Sequence, residues 1–387
     1  MIGIVAALAV AGAAAALVLA PGSVRTPSKE MPAIASAEHA RTIAQLRPPK
    51  RGRPVIAVLA LNAATEVSDF LSTYGVLAHA NVADVTVVAE HAAPIRLKPL
   101  SYGAPVTLYS AALWIEPQAT LRTFDERHPD GADYVVVPAI EPRDDRAVAN
   151  WIIAQQRKGA RIISVCNGSL TLAAASLLDG RRATAHWSGI PDLLHTHPTM
   201  QWVEDRRYVV DGGVMTSTGI TGAIPAMVAL VEAIAGRTKA EQLAVDLGLA
   251  VWDERHRSSA FRLTGEHRKT FVRNLMSFWK HETIGVPVDA GVDEIALGLT
   301  VDAYARTGMS RVLTVGGEGK EVRSRHGLMI RPEMPARAAD IDHMLPTRRS
   351  KTPALTIERE LANIAVRYDR PTADLVALIL EYPGRAQ

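Results

Sequence analysis

The stretch Ile162 to Gly180, IISVCNGSLTLAAASLLDG, decides how the rest of the chain is read. It opens on a short apolar run, passes through Asn167 and Gly168, and continues as a helical pattern that stops at Asp179-Gly180. A strand that turns sharply into a helix is an elbow, and an elbow holds the residue at its tip with the side chain aimed at the pocket. That residue is Cys166, the only cysteine in the chain. Free N–H groups at the start of the following helix lower a thiol's pKa and favour the thiolate. Against this, free cysteines are among the most commonly buried residues and usually inert. From the elbow alone both readings stand.

Outward from the elbow, the runs Pro54–Leu61 (PVIAVLAL), Asp84–Glu90 (DVTVVAE), Asp133–Ile140 (DYVVVPAI) and Ala160–Val165 (ARIISV) are rich in β-branched residues. Runs without polar alternation suit a parallel sheet buried on both faces. Helical patterns lie between several of them, such as Asp145–Lys158 (DRAVANWIIAQQRK). Alternating strand and helix predict an α/β, doubly wound parallel sheet, in which ligands sit at the carboxyl ends of the strands. Cys166 stands at such an end.

The chain has 387 residues, 48% of them hydrophobic, which is too apolar for disorder and enough for two or three domains. A net charge of +3, with acidic and basic residues interspersed, gives no basic stripe for nucleic acid. One cysteine excludes an internal disulfide and a CxxC metal knuckle. Met1–Ala20 (MIGIVAALAVAGAAAALVLA) is uncharged and long enough to cross a bilayer, so it reads as a membrane anchor. A secretory signal is the rival, with Ala35-Ser36-Ala37 as a distant cleavage site. Arg25 and Lys29 follow the segment and lean toward a cytoplasmic body, a secreted or periplasmic one staying open. Residues 21–52, rich in Pro, Ala and charges, read as a tether.

VCNGSLTLAAASLLDGRRATAHW (165–187) and DGGVMTSTGITGAIPAMVALVE (211–232) resemble the ThiJ/PfpI superfamily, closest to its isocyanide-hydratase and amidase-like regulator branches. The resemblance covers roughly residues 53–237 and implies a flavodoxin-like fold with Cys166 as nucleophile. It implies a carboxylate partner at Asp69 in TEVSDFLSTYGVL, and aspartate there leans toward the isocyanide-hydratase side. A helix N-cap is a compatible reading of Asp69. The resemblance also implies a proton-shuttling His186, with Asn167, Ala139, Ile140 and Trp187 around the substrate. Where many relatives carry a Gly pair, this chain has Ala139-Ile140, which narrows the approach to any oxyanion. The expected activity is cysteine-dependent hydration or hydrolysis of a small polarised carbon in a small-molecule substrate, with no cofactor and no metal. The alternative is a non-catalytic metabolite or redox sensor. The regulators' helix-turn-helix units have no counterpart here, so no nucleic-acid partner is expected.

The remainder carries an internal repeat. VTVVAEHAAPIRLK and ALWIEPQ match VLTVGGEGKEVRSRHGLMIRPE (312–333), and MVALVE near 227 matches LVALILE near 375. The offset is 215 at Ile115/Ile330 but 148 at Val228/Val376, so the second copy lacks 67 residues, those that would hold an elbow. Ala296 takes the place of the acid, with Asp293 and Glu294 beside it. The expected organisation is a first domain at 53–237, a helical bridge at 238–282 and a degenerate partial repeat at 283–387. The repeat would pack on the first domain as a dimer partner does, giving a pseudo-dimer in one chain or a homodimer.

Overall fold

The computed structural model describes residues 33–100, 112–317, 320–335, 340–347 and 350–383. Strand β1 (Val55–Ala60) is buried along its whole length. Val55, Ala57 and Leu59 join one apolar cluster while Ile56, Val58 and Ala60 join another, because the sheet is covered on both faces. Its companions are β2 (Asp84–Ala89), β3 (Tyr134–Val137), β4 (Arg161–Ser164), β5 (Tyr208–Asp211) and β6 (Val214–Ser217). The seven-stranded sheet runs β5-β6-β4-β3-β1-β2, with the short strand Ala119–Thr120 at the far edge. Every neighbouring pair is parallel except β5 with β6. Chain order reverses between β1 and β3, which opens a crevice at the strands' carboxyl ends. This is the expected doubly wound, flavodoxin-like arrangement.

Helices α1 (Ser36–Leu46), α2 (Val67–Ala80) and α5 (Ile220–Ala235) lie on one face; α3 (Arg146–Arg157) and α4 (Gly168–Ala174) lie on the other. Asp145 caps α3 by accepting the Val148 N–H, and Trp151 and Ile152 bury the inward stripe. Helix α1 departs from the expected tether. Leu46 is 1% exposed in the main core, and the Tyr134 hydroxyl donates to its carbonyl at 2.6 Å. Ile43 and Leu46 sit three apart, on one side of a helix, amid the Pro-rich and charged residues that suggested a linker.

The expectation of a membrane anchor is corrected. Among the described residues no helix is long and apolar enough to cross a bilayer. The segment 1–20 on which that expectation rested lies outside the described residues. The single-pass helix, the membrane as partner and the membrane location are withdrawn with it.

Within 238–282 the chain forms helices Arg237–Leu247 and Gly265–Met276 with irregular backbone between them. Then β7 (Glu282–Pro287), α6 (Glu294–Ala305) and β8 (Ser310–Gly316) form a second parallel strand-helix-strand unit, followed by α7 (Thr356–Arg367) and α8 (Arg370–Ile379). Every residue of α6 is buried, and it packs along α2. The approach is close because Gly298 has no side chain: a Cβ there would stand 3.1 Å from Leu71 Cβ and 3.2 Å from Ser68 Cα. A five-stranded sheet also joins the two parts, Met329–Pro332 pairing antiparallel with Leu113–Ile115 so that Ile330 faces Ile115. The two residues matched in the repeat are thus partners in one ladder.

Candidate active site

Cys166 stands two residues past the end of β4, after Val165, with φ +58°, in the left-handed region that side chains rarely occupy. Holding a non-glycine residue there costs on the order of 1–3 kcal/mol, and the surrounding hydrogen bonds fix it. The Cys166 N–H donates to the Thr218 carbonyl at 3.2 Å, and the Gly168 N–H to the Val165 carbonyl at 2.9 Å. The Ser169 hydroxyl lies 3.1 Å from both the Cys166 and Thr184 carbonyl oxygens, and 3.0 Å from the Ser164 hydroxyl. Gly168 is required by space: a Cβ would sit 2.2 Å from the Val137 carbonyl oxygen. The Cys-Asn-Gly order therefore follows from the elbow's geometry.

Asp69 lies in the first turn of α2 and is wholly buried. It does not cap the helix, since Glu66 is the N-cap residue. Its Oδ2 accepts the Ala139 N–H at 3.3 Å, and its carboxyl lies near enough to the Cys166 thiol for each to act on the other's pKa. Burial pushes the Asp69 pKa up to about 8, the Ala139 hydrogen bond and the neighbouring thiol resisting. The thiol is also pushed well above its ordinary value, first by burial and then by the nearby Asp69 and Glu66 carboxylates. The Asn167 N–H acts in the opposite direction. This corrects the expectation of a lowered thiol pKa. Helix α4 has only 7 residues, and its terminus is outweighed by desolvation and neighbouring acids.

His186 is buried, with Nε2 2.9 Å from the Ile379 carbonyl and Nδ1 2.7 Å from the Ser188 hydroxyl. A carbonyl only accepts, so Nε2 carries the hydrogen and Nδ1 receives the hydroxyl's. Burial lowers its pKa, which keeps the ring neutral. Both nitrogens thus have partners other than the thiol. Trp187 Nε1 donates to the Leu378 carbonyl at 2.9 Å. The Ala139 N–H is given to Asp69 and Ile140 is fully buried. Asn167 places Nδ2 3.5 Å from the Ser188 hydroxyl. Thus Cys166, Asp69, Asn167 and Ala139 converge, while His186 and Trp187 turn toward the end of α8.

The sequence reading missed three contributors. Glu66 is 2% exposed and accepts the Leu100 N–H at 2.5 Å. Arg306, from α6's C-terminal end, meets Glu66 at 3.2 Å and Asp302 at 2.7 Å, and donates to the Leu100 carbonyl at 3.1 Å. Glu381 accepts the Gly219 N–H at 2.5 Å on Oε2 and lies 3.1 Å from His256 Nε2 on Oε1. Arg306 and Glu381 both come from the far end of the chain. Among the described residues no group of three or more His, Cys, Asp or Glu side chains is placed to hold a metal ion.

The model of the DJ-1/PfpI family matches residues 55–233. An isonitrile hydratase of Pseudomonas putida is 37% identical over 107 residues, covering 28% of this chain and 46% of that protein. The HTH-type transcriptional regulator CdhR of Pseudomonas aeruginosa is 35% identical over 97 residues, covering 25% of this chain and 29% of the regulator. The chain thus spans less than half the length of these curated relatives. A solved ThiJ/PfpI family protein from Pseudomonas syringae aligns with TM-score 0.46 and 21% identity, over 70% of this chain and 97% of that one. The elbow, the buried acid and the sheet they stand on lie within the matched span: residues 55–233 are a DJ-1/PfpI family domain.

Proposed function

We propose that the protein is a cysteine-dependent hydratase of a small substrate with a terminal polarised carbon, an isocyanide in the first instance. The observation that carries this reading is the buried Asp69 carboxyl standing beside the Cys166 thiol, which a left-handed elbow holds. The similarity to an isonitrile hydratase over part of the chain supports it. The Cys166 proton passes to the Asp69 carboxylate as sulfur bonds to the isocyanide carbon, and that carbon takes the proton back from Asp69. Water then adds to the resulting thioimidate carbon, the C–S bond breaks, and a proton returns to sulfur. The net reaction converts one isocyanide and one water into an N-substituted formamide. Asn167 N–H, close to the sulfur, offsets charge on the thiolate as it forms. His186 serves as a neutral positioning residue and moves no proton.

The test is formamide release from cyclohexyl isocyanide by the full-length protein, with Cys166→Ser and Asp69→Asn as variants. Turnover falls at least about 100-fold in both, by the usual weight of a nucleophile and its proton carrier. Because Asp69 must start ionised, kcat/KM climbs as pH passes about 8. Undiminished turnover in Cys166→Ser would sink the reading. Metabolite or redox sensing without turnover is the second reading, weakened on the redox side by a thiol only 5% exposed and raised in pKa. It predicts sulfenic acid formation at Cys166 with no formamide.

A further inference from the structure

Behind the elbow, between α5, residues 249–257 and residues 381–383, the protein holds a cavity of about 120 Å³. Thr218, whose carbonyl takes the Cys166 N–H, is in its wall; Cys166 and Asp69 are not. The cavity shares Thr218 and Glu381 with the surroundings of the elbow but contains neither the nucleophile nor its acid, and its chemistry does not depend on whether the proposed hydration occurs.

Arginine side chains take part in the lining. Arg255 is there, paired with Asp253 at 2.6 Å, as is His256, which is held by Glu381. Arg207 is placed differently. Its Nε donates to the Arg255 carbonyl at 2.8 Å, and among the described residues no carboxylate lies within 4.0 Å of its guanidinium. The residue is half-buried by area, yet desolvation is the leading influence on it and pushes its pKa below the ordinary arginine value. The Asp253 and Glu254 carboxylates favour its charge only from beyond ion-pair distance, so the cation's withdrawal from water is incompletely offset, and an anion entering from solvent relieves that cost. Glu381 does not, because its two oxygens serve Gly219 and His256. The rest of the lining includes the apolar side chains of Ile224, Leu249, Leu299 and Ala354.

We infer that this cavity is a binding site for a small organic carboxylate with a short hydrocarbon tail, the carboxylate on the Arg207 fork and the tail against Leu249 and Leu299. A planar carboxylate matches two guanidinium N–H groups, whereas a hydrated dianion is poorly received by the apolar end. The volume is of the order of the roughly 150 Å³ cavity known to accept benzene, so the tail is a few carbons long.

Butanoate is the probe. Titrated into the full-length protein, it raises the thermal midpoint saturably, since a ligand of the folded state stabilises by mass action. Butanamide, of the same shape without the charge, leaves the midpoint unchanged, and sulfate raises it far less. Arg207→Met removes the butanoate effect; Ala354→Phe, which fills the apolar end at a half-buried position, weakens it. Should Arg207→Met fail to fold, the Ala354→Phe result decides. The inference is overturned if butanoate gives no rise, if butanamide or sulfate matches it, or if Ala354→Phe binds butanoate as well as the unaltered protein does.

Discussion

At the scale of single residues, Asp69 sets stability against chemistry. Its carboxyl is wholly buried and titrates near pH 8 in the folded state, against about 3.9 in an unfolded chain. A folded pKa above the unfolded one means the group's contribution to stability is full at low pH and is lost as pH rises through about 8. Asp69→Asn removes that loss. The variant's Tm advantage over the unaltered protein therefore grows between pH 4 and pH 8, while its turnover collapses. A constant or negative Tm difference across that range would contradict the buried-acid account. The same environment sets thiol reactivity: alkylation of Cys166 by iodoacetamide reaches half its limiting rate above the ordinary thiol pKa near 8.5, and Asp69→Asn moves that point down. Titration of Cys166 at or below the free-thiol value in the unaltered protein would be the contrary result.

At the scale of elements, the α2–α6 crossing is a close joint between the two parts of the chain. Gly298→Val places a branched side chain against the Ser68 backbone, which cannot withdraw as a flexible side chain could. Overpacking of this kind costs about 1–3 kcal/mol, so the urea midpoint drops with little change in slope. An unaltered midpoint would show that the two helices have slack. The elements around the elbow were legible because their signals are local: an apolar run, Cys166-Asn167-Gly168, then a helical stripe. Asp69 was found through the family resemblance, not through any local pattern. Arg306 and Glu381 left no such trace. Arg306 meets Glu66 across 240 residues of chain and Glu381 meets Gly219 across 162, and nothing in their flanking sequence marks them as parts of a site. The thiol's titration was misjudged for a related reason. A helix terminus is visible in sequence, whereas the burial and the two carboxylates that overrule it belong to the assembled fold.

At the scale of the molecule, we propose that β7, α6, β8 and the two C-terminal helices are a truncated second copy occupying a dimer partner's place. The contacts carry the symmetry this requires. Asp69 and its match Ala296 differ by 227 positions, as do Ser68 and Ile295, Leu71 and Gly298, and Gly75 and Asp302. Ser68 donates to Asp302 at 2.6 Å, and a Cβ on Gly75 would stand 2.7 Å from Ile295: each contact is the other with the copies exchanged. Leu71 against Gly298 then lies on the pseudo-twofold axis. Expressed alone, residues 33–237 expose the outer side of α2, and we expect them to self-associate in sedimentation experiments. A stable monomeric fragment would make the second half an independent appendage.

The ladder that sets Ile115 against Ile330 has a further consequence for how the protein behaves in solution. An interface between separate copies empties as the copies are diluted, but one whose sides are joined by peptide bonds keeps a fixed local concentration. On the proposed hydration and the proposed second copy, turnover per molecule should therefore hold steady however thin the solution. Each chain holds a single cysteine, so on the proposed hydration one chain offers one thiol site and its saturation with substrate should follow a simple hyperbola.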